Sequence, residues 1–316
     1  MPVQTFNSLE AHLAAVQNAN NAHATLMGKV TRPWTMSGLM LPRLRAQWGQ
    51  AGAGNIIEAT VISRGVSIFM PTQNAHVVQV NGHRFDSQTL RLQLPREEFC
   101  IASTDWHGWF SMFIPDEVIA LWNATEATPI GASSGFIQLS AERAEAFQRA
   151  IVQLGLIVHR APEGFESLAA VSATTHKLTA LVREALSCKV LATPKLGRPS
   201  VSRKEIVRSV MNSVEELACE DISVAELSTT TGVSERTLRA AFQEYFGMGP
   251  VRYLKLRMLN LVRKALQDAD SSVTTVTQIA TQFGVWELGR FAQDYRALFS
   301  ELPSETLRRS RTSGRL

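Results

Sequence analysis

Cysteine is scarce in this 316-residue chain: Cys100, Cys188 and Cys219 are odd in number, and neither a C-x-x-C pair nor a histidine cluster accompanies them. That argues against a disulfide scaffold and a thiolate zinc site, and fits core packing in a reducing cytoplasm. Long apolar runs are missing as well. His12, Gln17, Asn18, Asn20, Asn21 and His23 interrupt the N-terminal stretch where a signal peptide needs an unbroken apolar core, and no later run nears the ~18 residues of a membrane span. The expectation is a cytoplasmic protein with no membrane partner. His76, His83 and His107 are scattered, with no His-x-His pair and nearby carboxylate of the kind that holds a catalytic metal. No cysteine has an evident base, and "GQAGAGNI" lacks the Lys-Ser or Lys-Thr ending of a phosphate loop. With no catalytic residue, metal ligand or cofactor site to name, the chain is expected not to be an enzyme.

What is present is a charge balance that shifts along the chain. Met1 to Pro194 carries 14 Lys plus Arg against 14 Asp plus Glu, whereas Lys195 to Leu316 carries 18 against 14. The whole net charge of +4 therefore sits in the last third, as in a neutral module joined to one that meets a polyanion.

Length suggests about two domains. "CKVLATPKLGRPSVSRKE", Cys188 to Glu205, reads as the linker between them, because prolines, a glycine and serines break helical patterns on both sides. The division is a β-rich domain over 1–190, a linker over 191–202 and a helical domain over 203–312. In the first, "LRAQW", "ISRGVSIFM" and "CIAS" read as strands, and Asn81-Gly82 inside "HVVQVNGHRF" is the favoured dipeptide of a type I′ hairpin turn. Short strands at this spacing suggest a small antiparallel barrel or sandwich. Two helices, Ala141 to Val158 with Ser140 as N-cap and Phe165 to Ser187, complete it; they either cover one end of the barrel or form a dimer interface. The fold class is α+β, with an all-α C-terminal part.

That C-terminal part is duplicated. "ISVAELSTTTGVSERTLRAAFQEYFG" gives a short helix from Val224, a turn at Gly232-Val233 and a longer helix capped by Ser234, with Leu238, Ala241, Phe242, Tyr245 and Phe246 on its core face. Val224, Leu227, Ser228 and Gly232 recur as Val276, Ile279, Ala280 and Gly284 at an offset of 52. Leu238, Phe242, Phe246 and Pro250 recur as Phe291, Tyr295, Phe299 and Pro303 at an offset of 53, so the second turn has gained one residue. Apolar and small positions repeat while those between them do not, as expected of two helix-turn-helix modules, about 222–247 and 275–300, that share a scaffold and read different bases. "VRYLKLRMLNLVRKALQDAD" between them has helical spacing and would set them side by side on the duplex.

This constellation resembles the AraC-type (AraC/XylS) transcriptional regulators from about Arg203 to Arg309. Phe291, Tyr295, Arg296, Phe299 and Pro303 in "GRFAQDYRALFSELPSETLRR" stand as that family has them, while Ser300 replaces its usual glycine. "FGVWELGRFAQDYR" is similar to the branch of the ethanolamine-operon regulators. The resemblance implies a regulator of transcription that binds double-stranded DNA and contacts RNA polymerase, with an N-terminal domain that senses a small-molecule effector and aids homodimerisation. Activation is the expected mode, with a repressor or dual regulator as the alternative. The rival from another class is a metal-dependent small-barrel enzyme fused to a DNA-binding domain.

By position on the exposed faces, Ser234, Arg236, Thr237, Arg239 and Gln243 are the DNA-binding candidates of the first module, and Glu287, Arg290, Gln293 and Arg296 those of the second. Ser228 and Thr229 are placed for backbone contacts. Trp286 is expected to pack on the turn, with a thymine methyl or sugar as its other partner. In the first domain Arg43, Arg45, Arg64 and Arg84, with Arg91 and Arg96 nearby, would bind an anionic effector if they shared a cleft; otherwise they form the wet face of a sheet.

Overall fold

The computed structural model describes residues 2–17, 19–62, 64–124, 134–165, 167–188, 190–191, 203–215 and 223–313. Cys219 and, apart from Leu191, the linker 191–202 lie outside the described residues.

The N-terminal part opens with β1 (Gln4–Phe6), α1 (Leu9–Ala14), β2 (Ala19–Leu26), β3 (Trp34–Met40), β4 (Arg45–Ala51), β5 (Asn55–Val61) and β6 (Gly65–Gln73). It continues through β7 (Val78–Val80), β8 (His83–Arg84), β9 (Thr89–Gln93), β10 (Glu98–Ser103) and β11 (His107–Pro115). Helix α2 (Asp116–Asn123), β12 (Gly135–Gln138), α3 (Ala141–Arg160), α4 (Leu168–Leu186) and β13 (Val190–Leu191) complete it. Seven further helices follow among the described residues: α5 (Arg203–Glu215), α6 (Val224–Thr231), α7 (Glu235–Phe246), α8 (Pro250–Asp268), α9 (Val276–Gln282), α10 (Leu288–Phe299) and α11 (Pro303–Ser313).

The strands form two antiparallel sheets, one in the order β1-β3-β4-β11-β6-β9-β12-β13 and the other β2-β5-β10-β7-β8. The β7–β8 hairpin turns on Asn81 and Gly82, at φ 51° and 82°, the two positive angles of a type I′ turn. Alternation along each strand sorts side chains between layers. Met36, Phe69, Val80, Phe99, Ile101 and Trp109 fill the space between the sheets. Facing the other way from the larger sheet, Trp48, Ile68, Phe110 and Met112 pack under α3 and α4 through Phe147, Ile151, Leu178 and Val182. The Trp48 indole donates to the Ile151 carbonyl at 3.0 Å. The appended helices thus cover this sheet.

The smaller sheet is covered on its outer face by the C-terminal helices. Ile56, Cys100 and Ala102 join one core with Ile206, Val207, Phe242 and Tyr253, and Leu26, Trp34 and Ala53 join another with Leu259, Val262 and Phe291. Polar contacts pin this junction: Asn260 on α8 accepts from the Leu26 amide at 2.9 Å and donates to the Leu26 carbonyl at 3.1 Å. Glu98 pairs with Lys204 at 3.3 Å and with Arg208, and the Tyr245 hydroxyl donates to Asn81 at 3.3 Å. The result is four layers: α3 and α4, large sheet, small sheet and C-terminal helices.

Candidate nucleic-acid interface

Each bracing helix starts with a capping box, because a hydroxyl three residues ahead of a Glu or Gln satisfies two orphan amides reciprocally. Ser223 and Glu226 do this for α6, and Thr275 and Gln278 for α9. The second helices keep the offset of 53: α7 begins at Glu235 and α10 at Leu288, and both end in a left-handed residue, Gly247 at φ 74° and Ser300 at φ 60°. Ser300 therefore takes the backbone conformation of the glycine it replaces. Val224, Leu227, Leu238 and Phe242 in the first module, and Ile279, Ala280, Phe291 and Tyr295 in the second, are buried. Where Phe242 meets the Tyr253 ring at 5.6 Å, the matching pair Tyr295 and Thr306 shares a hydroxyl bond of 2.8 Å.

The opposite faces are open. Ser234, Arg236, Arg239 and Gln243 on the first module, and Glu287, Arg290, Gln293 and Arg296 on the second, are exposed, with Thr237 half-buried. Ser234 caps α7, its hydroxyl accepting from the Thr237 amide at 3.2 Å. Arg239 pairs with Glu235 at 2.9 Å, and Arg290 with Glu287 at 3.6 Å, exposed contacts weak enough to exchange for phosphate or base. Helix α10 has no side-chain cap at Glu287, and Gly289 beside it has open space where a Cβ would stand. The residue gained in the second turn is Trp286, which is 70% exposed. Ser228 differs from expectation. Its hydroxyl donates to the Val233 carbonyl at 2.6 Å inside its own module, so its proton is spent on fixing the turn.

Helix α8 holds the modules apart and in register. It packs against α7, α9 and α11, and Lys255 reaches Asp294 on α10 at 2.6 Å. Glu301, only 7% exposed, takes Arg263 of α8 at 3.4 Å and Arg309 of α11 at 2.6 Å, which locks the corner after α10.

The effector candidates do not all share one sheet. Arg43, Arg64 and Arg84 are exposed, Arg45 lies over the Phe113 ring at 4.4 Å, and Arg84 belongs to the other sheet from Arg45. Arg91 is buried in an ion pair with Glu97, and Arg96 sits in an exposed turn. Sequence reasoning missed a cavity between the two sheets, walled by Trp34, Phe99, Ile101 and Trp109 and carrying His12, Gln93 and His107. Burial holds both imidazoles at a pKa of about 4, so they are neutral at physiological pH. Among the described residues no group of three or more His, Cys, Asp or Glu is placed to hold a metal ion, and no helix is long and apolar enough to cross a membrane.

Residues 227–309 match the family described as a helix-turn-helix domain. The XylDLEGF operon transcriptional activator 1 of Pseudomonas putida is 37% identical over 113 residues, 36% of this chain and 32% of that one. The chain thus spans about a third of the length of that relative. The XylDLEGF operon transcriptional activator 2 of the same organism is 35% identical over 127 residues, 38% of this chain and 81% of that shorter one. A solved structure described as a probable AraC family transcriptional regulator from Rhodopseudomonas palustris is 39% identical over 34% of this chain and 97% of its own, at a TM-score of 0.30. With a relative of this identity covered over four-fifths of its length, the chain belongs to the AraC/XylS family of transcriptional regulators.

Proposed function

We propose that this protein is a sequence-specific DNA-binding regulator, an effector-responsive activator whose helices α7 and α10 enter successive major-groove segments. The observation that carries the reading is the pair of exposed polar helix faces on one repeated scaffold, spaced by a single helix. The 19 residues of α8 span about 28 Å at ~1.5 Å each, a little under the ~34 Å of a B-DNA turn. Arginine offers a bidentate contact to guanine, glutamine one to adenine, and glutamate an acceptor for cytosine. That several relatives are named operon activators supports activation over a repressor or dual regulator. RNA polymerase, a small-molecule effector and a cytoplasmic location complete the proposal. So does a homodimer through α3, whose Val152, Leu156 and Ile157 are exposed.

The test uses the full chain and a duplex selected from random sequence. Binding should weaken steeply as salt rises, because each neutralised phosphate releases counterions. Arg236→Ala and Arg290→Ala should each cost ~1 to 3 kcal/mol and relax base preference at different positions of one site. A flat salt response, or loss of preference at the same position in both variants, would overturn the side-by-side geometry. For the dimer, Leu156→Glu should shift sedimentation from two chains to one.

A further inference from the structure

The cavity between the sheets combines features that together specify a ligand class. It measures about 60 Å3, well below the ~150 Å3 of an engineered cavity that accepts benzene. No Asp, Glu, Lys or Arg lines it. His12, Gln93 and His107 are 2%, 3% and 3% exposed, and each presents a nitrogen with no hydrogen-bond partner: Nδ1 of His12, Nε2 of Gln93 and Nδ1 of His107. Buried polar atoms are nearly always paired, so three orphans lining one space, whose other polar side chains are the hydroxyls of Ser67 and Ser111, call for a common partner. The amide nitrogen of Gln93 can only donate, whereas a neutral imidazole nitrogen donates or accepts according to tautomer. A hydroxyl or primary amide meets both needs; a carboxylate or ammonium would enter without a counter-charge, at the full cost of desolvation.

We infer that this cavity is a binding site for a small uncharged molecule of a few heavy atoms, mainly apolar, carrying one alcohol or amide group held by His12, Gln93 and His107. The inference rests on the effector-responsive reading and names the chemical class of effector. It also displaces the anionic ligand that surface arginines had suggested. The same strands connect the site to the DNA-binding helices. Ile57, Phe99 and Ile101 of β5 and β10 face the cavity, while Ile56, Cys100 and Ala102, alternating with them, pack against α5 and α7. A ligand that moves these two strands therefore moves the surface on which the first module rests.

The experiment uses the full chain and xenon, which enters dry apolar cavities, observed by 129Xe NMR. The probes are ethanol, acetate and ethylammonium at equal concentration. Xenon should bind, ethanol should displace it, and the two ions should not. Gln93→Leu should keep the xenon signal, which also shows that the variant is folded, while ethanol affinity falls at least threefold; His12→Phe should act in the same direction. Absence of a xenon site would mean the orphans are satisfied by water and would overturn the proposal. So would displacement by acetate as effective as by ethanol, or ethanol affinity unchanged in both variants. Duplex binding by the same preparation, measured in parallel, separates failure of this site from failure of the DNA-binding reading.

Discussion

At the scale of single residues, Ser300 and the two buried histidines show opposite uses of local cost. Ser300 sits at φ 60°, a conformation that costs a residue bearing a Cβ about 1 kcal/mol or more, and its equivalent in the first module is Gly247. Ser300→Gly should therefore raise stability by roughly 0.5–1 kcal/mol in urea denaturation, after allowing for the greater freedom of glycine in the unfolded chain. His12 and His107 carry a cost that depends on pH. Both are held neutral at a pKa of about 4, His12 by burial and by the nearby His107, and His107 by burial against a weaker opposing bond to the Asp105 backbone. The unfolded chain takes up these protons near 6.5, so between pH 6.5 and 4 it binds more protons than the folded one. Stability is complete above pH 6.5 and declines as pH falls towards 4, by roughly 3 kcal/mol for each ring at the lower limit. Denaturation midpoints at pH 7, 5.5 and 4.5 should show this slope, and His12→Phe should flatten it. An unchanged slope in that variant would assign the acid sensitivity to carboxylates.

At the scale of elements, the duplicated modules were legible because the chain contains its own comparison. A residue needed for packing appears twice, at 52 or 53 positions, and a residue used for reading does not. The same logic extends to caps that spacing alone did not bring out: Ser223 with Glu226 and Thr275 with Gln278 stand at equivalent places. Ser223→Ala and Thr275→Ala should each cost about 1 kcal/mol in thermal or urea denaturation. Because the caps lie in separate modules, the double variant should lose the sum; a deficit larger than the sum would show that the modules unfold through a shared contact. Ser228 marks where this comparison fails. Its counterpart is a buried alanine, Ala280, which already indicated a position inside the module, but a hydroxyl near a bracing helix also suits a phosphate. In the sheets, Asn81-Gly82 identified its hairpin because only that backbone geometry demands such residues. The arginines carried no comparable constraint, since a charged side chain on a strand suits either a cleft or a wet face.

At the scale of the whole molecule, the least legible feature was the stacking of the small sheet on the DNA-binding helices. A sheet with one wet face alternates cleanly, whereas "NII" and "FCIA" place apolar residues on both faces, a pattern that two covered faces produce and that sequence alone does not assign to a partner. The polar anchor of that junction at β2 is Asn260. Strand β2 is at the edge of its sheet, and the outward amide and carbonyl of Leu26 would be orphaned there without the Asn260 carboxamide. Asn260→Ala removes the donor and acceptor together and should cost about 1–3 kcal/mol through the two backbone groups left behind. Hydrogen exchange distinguishes what the clasp does. If it couples the layers, the Leu26 amide and the α8 amides should lose protection together, while α3 and α4, which rest on the other sheet, stay as they are. Loss confined to Leu26 would mean that Leu26, Trp34, Leu259 and Val262 hold the junction by apolar contact alone. In that case any signal from the cavity reaches the modules through β5 and β10 and the side chains packed on them, Phe242 of α7 and Tyr253 of α8 among them.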